Sequence, residues 1–290
     1  MIDRCDAEGV ALVVATLEEI QAEADRREPL GKHDGVACFD YLYTIITKNV
    51  LRCVQDHARR QDDPRFYDQE FMACLDVAFA NRYLAAMGKG DPPRFQPRCW
   101  QALLDHRETR DISPLIFAVA GVNAHVNFDL PFALITACLT LGRELESGSN
   151  HADYQGINTI FANHMQQLRH HFEDRYQKGF DQALIARIEN LLGDLVVVVA
   201  RDLAWVTATR LWRIHEDEAK LLRMEKSRDR LVALTNWGLF QVDRLPAMAF
   251  RSLHLVPGPT RRMARRGLAR TGWADGPGRA SPPPVPAGVT

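Results

Sequence analysis

The sequence predicts an all-α fold: a single multi-helix bundle with a buried, kinked central helix and a disordered C-terminal tail. Apolar residues recur with the helical period through most of the 290 residues, and alternating strand patterns are scarce. Hydrophobic residues make up 46% of the chain and charged residues 25%, which is enough apolar material for one large core. From Pro257 onward glycine, proline and arginine dominate, so this stretch cannot bury enough apolar surface to fold. We therefore expect a helical domain over 1–256 and a disordered tail over 257–290.

Four helices are predicted in the first third of the chain. Residues 9–27 place apolar side chains on one face and glutamates on the other. Residues 35–57 form a helix rich in aromatic side chains, and residues 66–87 form a third helix that runs into a turn of glycines and prolines. A short helix over 97–106 is centred on Trp100.

The most apolar stretch, 115–141, is predicted to be the central helix. Ser113 and Pro114 are a strong start signal, because serine caps a helix and proline suits its first position. Pro131 must kink or divide this helix, since it has no N–H to donate and its ring clashes with the preceding turn. Gly142 is the expected end of the helix.

Three further helices are expected over 152–178, 181–224 and 227–250. The stretch 191–211 is apolar but is interrupted by charged residues, so it reads as a buried helix and not as a membrane span. No basic leader opens the chain, and we expect a cytoplasmic protein.

Charge and cysteine spacing restrict the function classes. The net charge of −1 divides into about +5 for the tail and −6 for the remainder, and a mildly acidic body does not attract nucleic acid. The six cysteines match no zinc-binding spacing, and a disulfide framework is not expected in a chain of this length. They are predicted to be buried, reduced thiols at positions 5, 38, 53, 74, 99 and 138.

The candidate site lies in the central helix, between Gly121 and Pro131. His125 and Asp129 are four residues apart and share a face of a continuous helix, and Asn123 lies nearby. This spacing suits two ligands of one metal ion, or a carboxylate that orients an imidazole. In a purely structural interpretation, Asp129 caps a new helix and the other polar groups satisfy the broken backbone. All three interpretations remain open at the level of sequence.

A second polar cluster follows at His151, Asp153 and Asn158. If this helix end packs against the first cluster, His151 and Asp153 join His125 and Asp129 in one metal site. Asp76, an acidic residue in an otherwise apolar helix, is a further candidate ligand. The alternative is that Asp153 only complements the dipole of its helix.

The motif Gly-Val-Asn-Ala-His-Val-Asn-Phe-Asp-Leu-Pro-Phe-Ala-Leu at 121–134 resembles the core motif of a bacterial, largely actinobacterial, family of unknown function. Residues 35–39, 71–83 and 151–154 strengthen the resemblance, which spans about 33–240. The resemblance implies an all-helical domain and brings no established activity.

The pair His125 and Asp129 also resembles the His-x-x-x-Asp element of zinc-dependent phospholipase C and related helical nucleases. The N-terminal tryptophan ligand of those enzymes has no counterpart in a chain that begins Met-Ile-Asp. The resemblance is limited to this one element.

These observations predict an enzyme with a helical pocket around His125, Asp129 and Asn123, which takes a small molecule. In one version a divalent ion such as zinc, held with His151, Asp153 and Asp76, activates water for hydrolysis. In the other no metal takes part: His125 is a general base for cyclisation or rearrangement of an apolar compound of secondary metabolism. The alternative class is a non-catalytic binding protein.

Overall fold

The computed structural model describes residues 1–56, 66–158, 174–176 and 194–242. Within these ranges the chain is helical and has no strand, which confirms the predicted fold class. The described residues all fall in one compact unit, Met1–Arg244. The predicted tail over 257–290 lies outside the described residues.

The helices follow the predicted order closely at the start of the chain. A short 3₁₀ turn at Gly31–His33 separates the first two. The helices are α1 (Ala7–Asp25), α2 (Gly35–Asp56), α3 (Gln69–Ala86), α4 (Arg98–His106), α5 (Pro114–Ala124), α6 (Leu130–Leu141), α7 (described over 150–158), α8 (Asp194–Trp212) and α9 (Glu218–Val242).

The predicted boundaries of the central helix are confirmed. The Ser113 hydroxyl accepts a hydrogen bond from the backbone N–H of Leu115 at 3.3 Å, and Pro114 occupies the first helical position. Gly142 ends α6 in the left-handed conformation, with φ of 63°, where glycine meets no steric penalty. Local chemistry alone therefore sets both ends.

The prediction of one helix over 181–224 is wrong where its residues are described. The chain leaves the helical conformation after Trp212, and α9 begins at Glu218 rather than at 227. The Asp217 side chain accepts a hydrogen bond from the backbone N–H of Lys220 at 2.9 Å, which caps α9. Residues 181–193 of that prediction lie outside the described part.

Helices α5 and α6 form the centre of the bundle, joined by a π-helical turn at His125–Asp129. Helices α2, α4 and α9 pack against α5, while α3 and α8 pack against α6. The π-helical turn itself contacts α3, α8 and α9. The interruption predicted from Pro131 is thus confirmed, and it takes the form of a widened turn inside a nearly continuous rod.

The missing N–H of Pro131 explains why helix α9 hydrogen-bonds to this turn. Pro131 has no N–H to offer the carbonyl oxygen of Asn127, its partner in a regular helix. The Arg228 guanidinium of α9 donates to that oxygen instead, with Nε at 2.6 Å. In the widened turn the backbone N–H of Leu130 donates to the carbonyl of His125, five residues earlier.

If the π-helical turn is ignored, Pro114–Thr140 counts as one helix, and this described helix has the length and hydropathy needed to cross a membrane. Its apolar window is 78% buried inside the protein. The central helix of a bundle satisfies the same criterion, so the finding does not indicate a membrane span.

The prediction of six reduced thiols is wrong for one pair. Cys5 and Cys74 form a disulfide between the segment before α1 and helix α3, whereas the other four cysteines are free and buried. The fold brings this pair together because Asn81 of α3 hydrogen-bonds both the backbone N–H and the carbonyl of Ile2, at 3.0 and 2.7 Å.

Candidate functional site

The predicted pair of His125 and Asp129 meets at the π-helical turn. The imidazole Nδ1 lies 3.1 Å from Oδ2 of Asp129, and both side chains are buried. π-Helical turns occur often at functional sites because the extra residue redirects side chains. The structure therefore brings these two groups together as a hydrogen-bonded dyad.

Asp129 is held from three sides. Trp100 of α4 donates its indole N–H to Oδ2 at 2.9 Å, and His125 donates to the same oxygen. Arg82 of α3 donates from Nε to Oδ1 at 3.2 Å. The Asp129 side chain makes no cap to its own helix, so the capping role considered from the sequence is not observed. A buried carboxyl group with a cation and two N–H partners is fixed in orientation.

Arg82 connects this carboxylate to helix α9. Its Nη2 donates to Oε1 of Glu225 at 2.7 Å, and its guanidinium lies over the rings of Phe128 and Phe132, about 5 Å from each centroid. Both carboxylates and both rings stabilise the cation, so its charge is fully engaged.

The His125 imidazole lies in a cluster of aromatic rings. Phe79 stacks face to face on it, with ring centroids 3.4 Å apart, and the Tyr43 ring follows at 4.4 Å. Phe39, Tyr83 and Trp100 complete the cluster at 5.8 to 6.1 Å. Burial lowers the pKa of His125, and this effect outweighs the opposing hydrogen bond to Asp129.

His125 is consequently neutral near pH 7 and carries its hydrogen on Nδ1, which faces Asp129. The other nitrogen, Nε2, is buried and has no hydrogen-bond partner. A buried polar atom without a hydrogen-bond partner lowers the free energy of unfolding, so its presence in the fold requires an explanation. Nε2 is a hydrogen-bond acceptor and a base that points away from the carboxylate.

Two further side chains share this property: Tyr43, which packs against the imidazole, and Asp76, whose charge acts on Tyr43. The Tyr43 hydroxyl is buried without a hydrogen bond of normal geometry, although Thr47 lies near it. Oδ2 of Asp76 is also buried and unpaired. Burial raises the pKa of Tyr43, and the nearby Asp76 charge raises it further. Burial also raises the pKa of Asp76 to about 7.

The structure separates Asn123 from the dyad. Its amide donates to Oδ1 of Asn236 at 2.8 Å and accepts from Asn127 at 2.9 Å. Residues two apart on a helix point in different directions, which places Asn123 on the α9 side of the rod. Asn236 in turn donates to the carbonyls of Cys99 and Ala120. Asn123 thus joins helices and does not line the site around His125.

The second predicted cluster also has a separate role. Asp153 is buried and accepts hydrogen bonds from the backbone N–H groups of Tyr67 and Asp68 and from the Ser149 hydroxyl, at 2.6 to 2.9 Å. It fixes the segment that leads into α3. His151 is exposed and packs beside Trp205, with ring centroids 4.6 Å apart.

No three acidic, histidine or cysteine side chains of the described residues lie close enough to hold one metal ion. The five candidate ligands His125, Asp129, His151, Asp153 and Asp76 are therefore not gathered in one place. The physical reason is that Asp153 is used by backbone amides and both oxygens of Asp129 by other side chains.

Sequence reasoning missed Tyr43, Phe79, Arg82 and Trp100 as parts of the site. Arg82 and Trp100 did leave a signal. An arginine in an apolar helix requires a carboxylate, and a tryptophan at the centre of a buried helix requires an acceptor for its N–H. The dyad position Asp129 is the acceptor that satisfies both.

A second buried carboxyl makes stability depend on pH. Asp40 accepts from the Tyr83 hydroxyl at 3.0 Å, and burial raises its pKa to about 8 although this hydrogen bond opposes the rise. The folded state then holds a proton that the unfolded state releases above about pH 4. Asp76 acts in the same direction up to about pH 7, whereas His125 lowers stability only below about pH 6.5.

We expect the free energy of unfolding to fall between about pH 6.5 and 8, by up to about 1.4 kcal/mol per pH unit for each buried carboxyl. Asp40→Asn should reduce the slope of unfolding free energy against pH, and Asp3→Asn at an exposed position should leave that slope unchanged. Denaturant unfolding at a series of pH values measures the slope. An equal slope in wild type and Asp40→Asn contradicts the assignment.

Comparison with known proteins identifies a family. No curated protein and no solved structure matches the chain. The profile of DUF5995, a family of unknown function, matches residues 10–242, which include the dyad and every helix from α2 to α9. This agrees with the resemblance expected from the motif at 121–134, and the chain belongs to the DUF5995 family of unknown function.

Proposed function

We propose that the protein is an enzyme in which His125 acts as a general base on a small, largely apolar molecule. One observation carries this proposal: Nδ1 of the imidazole is bound by a fixed carboxylate, while Nε2 is buried and unpaired among aromatic rings. A neutral, oriented imidazole accepts a proton at Nε2, and Asp129 stabilises the imidazolium that forms.

The residues fit a metal-dependent hydrolase less well. A catalytic zinc ion takes three protein ligands and leaves one position for water. In the described part of the chain, Nε2 of His125 and Oδ2 of Asp76 are the unpaired histidine and carboxylate atoms of this region, because the oxygens of Asp129 serve Arg82, Trp100 and His125. The donor set therefore supports proton transfer without a metal.

The reaction class that follows is a proton shift from carbon, such as an isomerisation or the proton-transfer step of a cyclisation. His125 removes a proton, the C–H electron pair enters the carbon framework of the substrate, and the imidazolium returns the proton at another carbon. The aromatic cluster keeps bulk water away from the reacting carbon.

Deuterium exchange tests this proposal without knowledge of the natural substrate. The protein is incubated in D₂O with a library of small apolar compounds that carry weakly acidic C–H bonds, and mass spectrometry records deuterium incorporation. We expect catalysed exchange in at least one compound. His125→Gln should abolish it, and Asp129→Asn should lower it by about two to four orders of magnitude.

His151→Gln is the matched control, because this histidine is exposed and its hydrogen-bond contact is with Gln155 and not with the dyad. It should exchange deuterium at the wild-type rate. Exchange that persists in a folded His125→Gln variant contradicts the proposed base. Binding of a library compound without any exchange favours the non-catalytic class.

A further inference from the structure

Three buried polar atoms without a hydrogen bond of normal geometry belong to Tyr43 or to side chains that neighbour it. They are Nε2 of His125, the hydroxyl of Tyr43 and Oδ2 of Asp76. The described residues contain only two other such side-chain atoms, both on glutamines, Gln21 and Gln69. The clustering of three in one place indicates a binding site, because isolated packing defects would be scattered.

Helix geometry places these groups together. Phe79 stacks on His125 and contacts Tyr43, with ring centroids 6.2 Å apart. Asp76 precedes Phe79 on α3 by three residues, so the two side chains are neighbours on the same face, about 5–6 Å apart at Cβ. The Tyr43 ring lies 4.4 Å from the imidazole, and the Asp76 charge acts on the Tyr43 hydroxyl, so Tyr43 neighbours both groups.

Phe79 is the ring that closes this site. The other rings around His125, those of Phe39, Tyr43, Tyr83 and Trp100, are buried, whereas Phe79 is partly exposed. A ligand that reaches Nε2 from solvent therefore displaces the Phe79 side chain. To recover the lost stacking on the imidazole, that ligand must itself be planar.

Charge restricts the ligand further. The nearest cation, Arg82, is engaged by Asp129 and Glu225 and has no free charge to offer an anion. His125 is neutral near pH 7, and burial raises the pKa of Asp76 to about 7, so this carboxyl is only partly ionised at that pH. An anion would be buried without a counter-ion and a cation would have only this partial charge beside it, so both should bind more weakly than an uncharged molecule.

We infer that His125, Tyr43 and Asp76 bind an uncharged, planar molecule that carries both a hydrogen-bond donor and an acceptor, such as an aromatic or conjugated carbonyl compound. The ligand donor pairs with Nε2 of His125, and the ligand acceptor pairs with the Tyr43 hydroxyl or the Asp76 carboxyl. This inference rests on the proposed function because both place the ligand at His125. Binding is measured separately from catalysis, so each can be tested without the other.

Three probes of one shape and different charge test it: benzamide is neutral, benzoate is an anion and benzamidinium is a cation. The full chain is titrated with each at pH 7, and NMR follows the His125 imidazole. We expect saturable shifts with benzamide and at least about tenfold weaker binding of both charged probes. Equal or tighter binding of either charged probe, or no saturable shift with benzamide, overturns the inference.

Variants distinguish a binding role from a packing role. Tyr43→Phe should weaken benzamide binding about tenfold and yet raise the unfolding temperature, because it removes a buried hydroxyl without a partner. Asp76→Asn should keep affinity within about threefold, since the amide N–H replaces the protonated carboxyl as hydrogen-bond donor. Phe79→Ala should strengthen binding, because less stacking has to be displaced.

Tyr41→Phe on the same helix is the control; its ring lies 6.5 Å from that of Tyr176 and outside the cluster around His125. It should bind benzamide like the wild type. A large loss of benzamide affinity in Asp76→Asn indicates that the ionised carboxylate takes part in binding and overturns the inference. If benzamide binds but no compound exchanges deuterium, the inferred ligand class stands and the proposed catalysis is contradicted. If the protein catalyses exchange but binds a charged probe more tightly than benzamide, the proposed catalysis stands and the inferred ligand class is contradicted.

Discussion

Replacement of Asp129 with alanine is expected to lower the free energy of unfolding by about 3–5 kcal/mol. The variant leaves the Arg82 cation with Glu225 alone and removes the acceptor of the Trp100 indole N–H and of the His125 Nδ1–H. Trp100 and His125 are buried and the Arg82 side chain is 23% exposed, so water replaces the lost carboxylate at the arginine at most. Denaturant unfolding at neutral pH measures the change.

The control removes a carboxylate from an arginine at the surface. Glu218 and Arg94 are paired at 2.9 Å, with side chains 76% and 62% exposed. Glu218→Ala should cost less than about 1 kcal/mol. If Asp129→Ala costs no more than Glu218→Ala, the network around the dyad does not stabilise the fold as described.

Gly121→Ala is expected to destabilise the protein by about 1–3 kcal/mol or to shift the packing of the site. A Cβ atom at Gly121 would lie 2.3 Å from Cγ and Cδ2 of Phe39 and 2.7 Å from its Cβ. The base of the Phe39 side chain cannot swing aside as the end of a flexible chain can, so helices α2 and α5 must separate. Phe39 packs against the His125 imidazole, which links this glycine to the site.

Gly238→Ala is the matched control within a helix. A Cβ atom at Gly238 meets nothing within 4 Å, so the change should be neutral or should stabilise by up to about 1 kcal/mol. Thermal unfolding compares the two variants, and NMR of the His125 imidazole reports the displacement. Equal unfolding temperatures of the two variants, with unchanged His125 signals, contradict the proposed close approach.

The sequence was sufficient for those parts of the fold that local chemistry determines. The start of α5 at Ser113 and Pro114 and its continuation to Gly142 depend on neighbouring residues only. The break between α8 and α9 was missed although residues 215–218 are all polar and Asp217 is a suitable cap. The Cys5–Cys74 pair, 69 residues apart, has no local signal at all.

The dyad itself could be predicted from the four-residue spacing of His125 and Asp129, because that spacing fixes proximity on one helix. Its surroundings could not. Trp100 and Arg82 are 29 and 47 residues away from Asp129 in sequence. Their partners depend on how α3 and α4 pack against the central rod, which a single sequence does not specify.

Asn123 shows the limit of counting polar residues in an apolar stretch. From the sequence it belonged with His125, because both are polar and two positions apart. A helix rotates by about 100° per residue, so the side chains of Asn123 and His125 point toward different neighbours. Asn123 pairs with Asn236, which the sequence did not indicate. Composition identifies the right segment, whereas side-chain direction decides which residues form the site.

The contacts of α9 set the order in which a nascent chain acquires its site. Synthesis proceeds from the N-terminus, so α9 is the last described helix to leave the ribosome. Until it emerges, several groups of the earlier helices lack the partners that α9 supplies: the Arg82 guanidinium, the Asn127 carbonyl, the Cys99 backbone N–H and carbonyl, and the Ala120 carbonyl. A truncated product that stops at Asp217 would therefore expose the π-helical turn and be a substrate for quality-control proteases.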